Sequence, residues 1–413
     1  MSNIFPRHCK ASPPLAVQGD GVYIIDLKGK KYLDASGGAA VSCLGHGDMT
    51  IVDAIKHQLD NLEFAHTGFF SSIPAEALAE LLVMHAPGSL DRVYIVSGGS
   101  EAVEAAIKLA RQYFIEIGQP KRHRVIARMQ SYHGNTLGAL AAGGNMWRRE
   151  PFSPLMIETS HISPCYAYRG QVEGESEFDY GQRVANELET EILRLGEESV
   201  MAFIAEPVVG ATLGAVPAVN GYFKRIREIC DKYGVLLILD EVMCGMGRTG
   251  SLYACDQEDV VPDNGSGFFQ HGHTYMGHPV ACAAAHAVVK SILDRRLLDK
   301  VLQQGVRLHK ALQDRFGDHP NVGDIRGRGL FYGLEFVQDR DSKKPFDASE
   351  GFASVFKKAA FNAGLICYPM SGTIDGKQGD HVLLAPPFII DVGHIDEIVN
   401  KLEMALQTTI RSV

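Results

Sequence analysis

No stretch of this chain approaches the ~18 consecutive apolar residues that carry a helix across a bilayer. The opening residues, MSNIFPRHCKASPPLAV, hold no apolar run of signal-peptide length behind their basic positions. The sequence therefore predicts neither a membrane nor a secretory role, and a cytoplasmic protein is expected. Positive charge is not in excess either. Forty Lys and Arg stand against 49 Asp and Glu, a net charge of −9 with no basic stripe, which argues against nucleic acid as a partner. The eight cysteines (Cys9, Cys43, Cys165, Cys230, Cys244, Cys255, Cys282, Cys367) form no CxxC pair. They read as reduced thiols, mostly core filler, and suggest no metal site. Internal repeats and low-complexity tracts are also missing. What remains is a 413-residue chain, 46% hydrophobic and 22% charged, with globular composition and room for two domains.

The order of its elements is legible. VYIIDLKGKKYLD alternates around a KGKK turn and predicts a hairpin over 22–34. Helices are expected from Thr50, with Ile51, Ile55, Leu59 and Leu62 on one face, and from Ala75 to His85. DRVYIVSGGS predicts a short buried strand ending in a glycine turn. EAVEAAIKLARQYFIEIG follows as the strongest helix, with Val103, Ile107, Ala110 and Phe114 at helical spacing and Gly118 to end it. RVIARM, AFIAEPV and a fully buried VLLILD predict further strands, with a helix over 221–233 between the last two. A long helix is expected over His278 to Leu293, then helix, strand, helix and a last helix from Asp396. The alternation implies a mostly parallel sheet with helices on both faces, followed by a separate α+β portion. The first dozen residues and GQVEGESEFDYG are the expected loose segments.

One stretch, VLLILDEVMCGMGRTG at 235–250, could serve three chemistries. Its Asp-Glu pair could hold a nucleotide's magnesium, but that needs a GxxxxGK[ST] loop. The two Gly-Lys pairs, Gly29-Lys30 and Gly376-Lys377, do not fit one. GMGRTG matches GxGxxG, but that fingerprint must open a helix, and SLYACDQEDVVPD has no helical period. The third use is a pyridoxal phosphate site, which needs an anion hole, an aromatic face, a carboxylate for the ring nitrogen and a lysine. SGGSE offers the first, with Ser100 at the expected N-cap of the strongest helix. SYHGNT offers the second through Tyr132 and His133. Asp240, ending an apolar strand and costly to bury unpaired, offers the third. A plain capped helix, a turn tyrosine and a backbone-satisfied aspartate would explain each alone.

Taken together these motifs resemble a class III pyridoxal-phosphate aminotransferase of the aspartate-aminotransferase fold type. The resemblance runs through LGHGDMTIVDAI, VSGGSEAVEAAIKLAR, SYHGNTLGAL, AEPVVG, LILDEVMCGMGRTG, HTYMGHPVACAAA and GDHVLLAPPF, in that order. It implies a fold type I large domain, α/β with three layers and a mostly parallel sheet, over 61–295. A smaller α+β domain would come from both chain ends, 1–60 and 296–413. It further implies that Gly99 and Ser100 bind the phosphate, that Tyr132 and Val242 flank the ring, and that His133 belongs to the cofactor pocket. Asp240 would hold the ring nitrogen, and Glu206 would lie on the substrate side. Thr274 would reach the phosphate of a partner subunit, in a homodimer with its sites at the interface. Asp240, Glu206 and Tyr132 are the expected catalytic residues.

The sequence departs from that pattern in one place above all. The family's Schiff-base lysine lies between the Pro-Asp after GRTG and the HTY motif, yet no lysine occurs between Arg248 and Thr274. A strand, its turn and part of a helix, on the order of 30 residues, are expected to be missing between Asp263 and Asn264. Lys290 is the nearest lysine downstream, with no motif around it. The intact flanking motifs, and the cost of taking an interior strand from a sheet, favour a natural protein that carries the segment. Carboxylate recognition also departs. Leu384 stands where relatives place an arginine, and Gly376, Lys377 and Gln378 where others carry a movable one. Phe69, Phe70, Tyr166 and Tyr168 are candidates for an aromatic pocket, and bulk-core packing explains them as well. The expected activity is transamination between an amine or ω-amino acid and a keto acid such as pyruvate. The alternatives are an aminomutase, racemase or decarboxylase of the same family, or an inactive homologue that acts by binding.

Overall fold

The computed structural model describes residues 3–5, 13–263 and 269–413. Most of the expected loose N-terminal dozen, and Asn264 at the junction, lie outside these.

Four strands, Thr159–Ile162, Arg124–Arg128, Val200–Ala205 and Leu236–Leu239, lie side by side in that order, all parallel. The pleat sends alternate residues to opposite faces. On one face Val125, Ala127, Ala202 and Ile204 meet Val103, Ile107, Ala110 and Phe114 of the Gly99–Glu116 helix. On the other, Ile126, Phe203, Ala205 and Leu237 meet the helices Glu177–Leu195 and Tyr222–Tyr233. The result is three layers, as expected. Each of Val103, Ile107 and Phe114 contributes about 1.5–3 kcal/mol by leaving water.

A second sheet is antiparallel, in the order Val322–Arg328, Phe331–Phe336, Asp380–Leu384, Tyr368–Ser371. A third begins with Ala16–Asp20 and the predicted hairpin, seen as Tyr23–Asp26 and Lys31–Asp34. Its fourth strand is Leu365–Ile366, parallel to Lys31–Asp34. Val22, Leu33, Ala35 and Leu44 share one core with residues from Ile292 to Leu406.

Three expectations fail. VLLILD is not fully buried: Leu236–Leu239 is the last strand of its sheet, and only Leu237 of the four is buried. Residues 91–97 form no strand and are half-exposed. A strand needs a ladder partner, and among the described residues none lies beyond Leu236–Leu239 to supply one. GQVEGESEFDYG is ordered. Ser176 caps the Glu177–Leu195 helix by accepting from the Asp179 N–H at 3.1 Å, and Glu175 pairs with Arg183 at 2.7 Å.

Candidate active site

The carboxyl ends of parallel strands are where such sheets present ligands, and here three strands end on chemically apt residues. Arg124–Arg128 runs into Tyr132 and His133, Val200–Ala205 into Glu206, and Leu236–Leu239 into Asp240. A fourth approach comes from Gly98, extended and capping the Gly99–Glu116 helix with no side-chain acceptor. Ser100 thus sits inside the first turn, not at the cap, because a second glycine starts the helix one residue after Gly98. Its hydroxyl accepts from the Asn135 N–H at 3.0 Å. A β-carbon on Gly134 would lie 2.6 Å from that hydroxyl, and one on Gly99 would lie 3.0 Å from Val242 Cγ1. Gly134 also has φ +129°. The SGGS, YHGN and DEV turns therefore interlock at distances that only glycine tolerates.

Asp240 is nearly sealed from solvent, its side chain 5% exposed. Its Oδ1 accepts from the Val242 N–H at 3.0 Å, and its Oδ2 lies 2.7 Å from His133 Nδ1, which donates to it. His133 is buried as well, and its Nε2 has no hydrogen-bond partner. A buried carboxylate persists only when paired. This one has two partners and room for a further donor, since a carboxylate offers about four acceptor sites. Glu206 adjoins the pair. Its oxygens accept from the N–H groups of Tyr132 at 3.1 Å and Gly210 at 2.9 Å. Burial pushes its carboxyl up to about 7; the Asp240 charge adds to the rise, while His133 and the two N–H donors oppose it. The Tyr132 ring is covered by the Arg148 guanidinium, 4.7 Å from its centroid.

Six of the seven residues expected in the site, Gly99, Ser100, Tyr132, His133, Asp240 and Val242, meet here together with Glu206. Val242 is 60% exposed, an apolar residue left open above Gly99. Thr274 lies apart in an exposed turn. That turn is tied back by the Gly277 N–H on the Ile95 carbonyl at 3.2 Å, and among the described residues no hydrogen bond links Thr274 to the other six. Two of the four aromatic-pocket candidates are engaged by charged neighbours. Tyr166 is buried with its hydroxyl on Glu335, and Tyr168 packs between Arg169 and Lys343. Phe69 and Phe70 are 82% and 69% exposed in the single chain. GMGRTG is a turn leaving the strand, with Gly247 and Gly250 at positive φ and Arg248 buried beneath it. Lys290 pairs with Asp294 at 2.8 Å on an exposed helix face. Sequence reasoning missed the His133–Asp240 pair and Arg148, because no periodicity or motif spacing links residues on separate turns.

A planar cofactor with an anionic tail and a basic ring nitrogen fits these residues. The uncapped N-terminus of an 18-residue helix favours the anion. The remaining acceptor capacity of Asp240 suits a protonated ring nitrogen.

A family model described as "Aminotransferase class-III" matches residues 5–265 and 264–406. An uncharacterised aminotransferase of Schizosaccharomyces pombe is 44% identical over 438 aligned positions, covering 99% of this chain and 95% of its own. Those positions exceed the 413 residues here by 25, so at least that many have no counterpart in this chain. The chloroplastic gamma aminobutyrate transaminase 3 of Solanum lycopersicum is 33% identical, with 97% of this chain and 82% of its own covered. Among solved structures, the omega transaminase of Pseudomonas jessenii in complex with PMP superposes with a TM-score of 0.92 at 30% identity, covering 99% and 97% of the two chains. The chain belongs to the class III aminotransferases, on the fold of the pyridoxal-phosphate-dependent transaminases, and its cofactor is pyridoxal 5'-phosphate.

Proposed function

We propose that this is the framework of an ω-type transaminase, exchanging an amino group between an amine or ω-amino acid and a keto acid such as pyruvate. The observation that carries the reading is Asp240, buried, oriented by His133 and still able to accept one more donor. The tomato relative's name and the omega-transaminase neighbour support the substrate class. When bound, pyridoxal phosphate supplies the electron sink that acidifies the carbon bearing nitrogen. Asp240 holds the proton on the ring nitrogen, and the His133 N–H fixes the carboxylate for that task. First-turn N–H groups at Gly99 and Ser100 hold the phosphate. Tyr132 and Val242 sandwich the ring. Glu206 borders the substrate. Thr274 reaches a second subunit's phosphate in a homodimer whose sites lie at the interface. The free cysteines among the described residues suit a reducing, cytoplasmic compartment.

The cofactor-anchoring lysine, which also moves the α-proton, has no counterpart here, since no lysine occurs between Lys232 and Lys290. We propose that the natural protein carries it on a segment between Asp263 and Asn264. The break of the family match at 264–265, the unmatched positions in the S. pombe alignment and the half-exposed apolar strand Leu236–Leu239 all support this. Without that segment the chain binds its cofactor with no covalent bond and does not turn over. The missing lysine also favours a second reading, an inactive homologue that acts by binding. Sequencing the transcript across the Asp263–Asn264 junction separates the two. Incubating the product of that transcript with an amine and pyruvate then tests the activity: alanine forms with a transaminase and not with an aminomutase, racemase or decarboxylase. No alanine from a lysine-bearing product sinks the proposal.

A further inference from the structure

Arg148 is half-buried, and its guanidinium makes no hydrogen bond or ion pair among the described residues. Its Nε is sealed from solvent with no partner. The other described arginines whose guanidinium makes no hydrogen bond or ion pair, Arg307, Arg340 and Arg411, are exposed, where water serves them. Arg149 beside it is fully used, donating to the carbonyls of Leu140, Ala141 and Gly143. Arg148 is instead stacked between two rings, 4.7 Å from the Tyr132 centroid and 5.6 Å from that of Trp147.

Its position is fixed by the turn that carries Tyr132. The short helix Met146–Arg149 is capped by Asn145, whose amide donates to Gln130 Oε1 at 3.1 Å. Gln130 is two residues before Tyr132, and its own amide donates to the Gly372 carbonyl at 2.8 Å. The loop over 372–379 packs on the same helix: a β-carbon on Gly376 would lie 3.1 Å from the Trp147 backbone nitrogen. A guanidinium so held, with an orphaned Nε beside terminal nitrogens that are not sealed, presents the side-on fork that matches a carboxylate's two oxygens.

We infer that Arg148 receives the carboxylate of the substrate, the acid end of an ω-amino acid or keto acid. The inference rests on the transaminase reading and names its substrate class. The positions where relatives carry such an arginine do not compete. Leu384 is apolar and fully buried in its strand, and Lys377 is exposed on the loop. A ring stacked on Tyr132 takes the face opposite Arg148, so the tyrosine separates the acid-binding group from the reacting carbon. Substrates with the carboxylate several bonds from the amine are favoured over α-amino acids.

Trp147 is the chain's one tryptophan, so its emission reports directly on Arg148. The purified chain is titrated with glutarate, with glutaramide and sodium chloride at matched ionic strength as controls. Glutarate alone should give a saturable change. The change should weaken at least tenfold in Arg148→Gln, weaken less in Arg148→Lys, which keeps charge without the fork, and stay unaltered in Lys377→Gln. No saturable response in the unsubstituted chain, an unchanged response in Arg148→Gln, or its loss in Lys377→Gln would overturn the inference. A parallel absorbance titration with pyridoxamine phosphate separates the two claims. Glutarate response without cofactor binding fells the transaminase reading and leaves an acid-binding Arg148. Cofactor binding without glutarate response fells the inference alone.

Discussion

At the scale of the residue, the site is a small network of buried charge. Asp240 is the member whose loss reads most directly. Asp240→Ala should weaken pyridoxamine phosphate binding by ten- to a hundred-fold or more, as expected for a charged hydrogen bond worth about 1.5–3 kcal/mol. Absorbance titration checks this, and an unchanged affinity would refute the role given to the acid. Glu206 gives a pH signature. Its carboxyl holds its proton up to about 7 when folded and only to about 4.3 when unfolded. Between those values the native state binds more protons, so stability is full below the unfolded value and is lost as pH rises toward 7. Urea melts across pH 4 to 8 should show this decline, on the order of 1–3 kcal/mol, and Glu206→Gln should flatten it. Asp240 was legible in the sequence because an acid closing an apolar strand must be satisfied by something. Its partner was not, since the 107 residues from His133 to Asp240 carry no repeating signal and only the sheet brings their turns together.

At the scale of the element, helices declared themselves and one strand did not. The Gly99–Glu116 helix follows from its own periodicity and from the glycines around it. Residues 92–96, RVYIV, have every local mark of a strand, yet extended backbone becomes a strand only against a neighbour. Leu236–Leu239 presents an apolar edge and 92–96 stays unladdered, as the proposed gap between Asp263 and Asn264 would leave them. Inserting the S. pombe relative's counterpart between Asp263 and Asn264 should raise the melting temperature, each kcal/mol being worth roughly 1 °C in a chain of this size. It should also bury residues 92–96 against hydrogen exchange. No gain in either would show that the gap is not a strand-sized vacancy in the sheet.

At the scale of the whole molecule, buried polar clusters as well as apolar contacts join elements far apart in the chain. Glu335, on the Phe331–Phe336 strand and fully buried, meets Arg169 at 2.6 Å and Arg326 at 3.1 Å and accepts from the Tyr166 hydroxyl. Removing one partner of a buried pair strands the other, so Glu335→Ala should cost about 3–5 kcal/mol. Pairing it with Arg169→Met should recover part of that loss in denaturant melts. Nothing in the local sequence announces such a cluster, because its members come from three separate parts of the chain.

The short strand Leu365–Ile366 closes on Lys31–Asp34, a pairing across more than 330 residues. Synthesis runs from the amino end, so the first sixty residues leave the ribosome without the core that Val22, Leu33 and Leu44 will share with residues beyond 290. They must wait, apolar side chains unclaimed, through almost the entire translation. A stop codon placed anywhere before position 365 therefore leaves the beginning of the protein, not merely its end, without a place to fold.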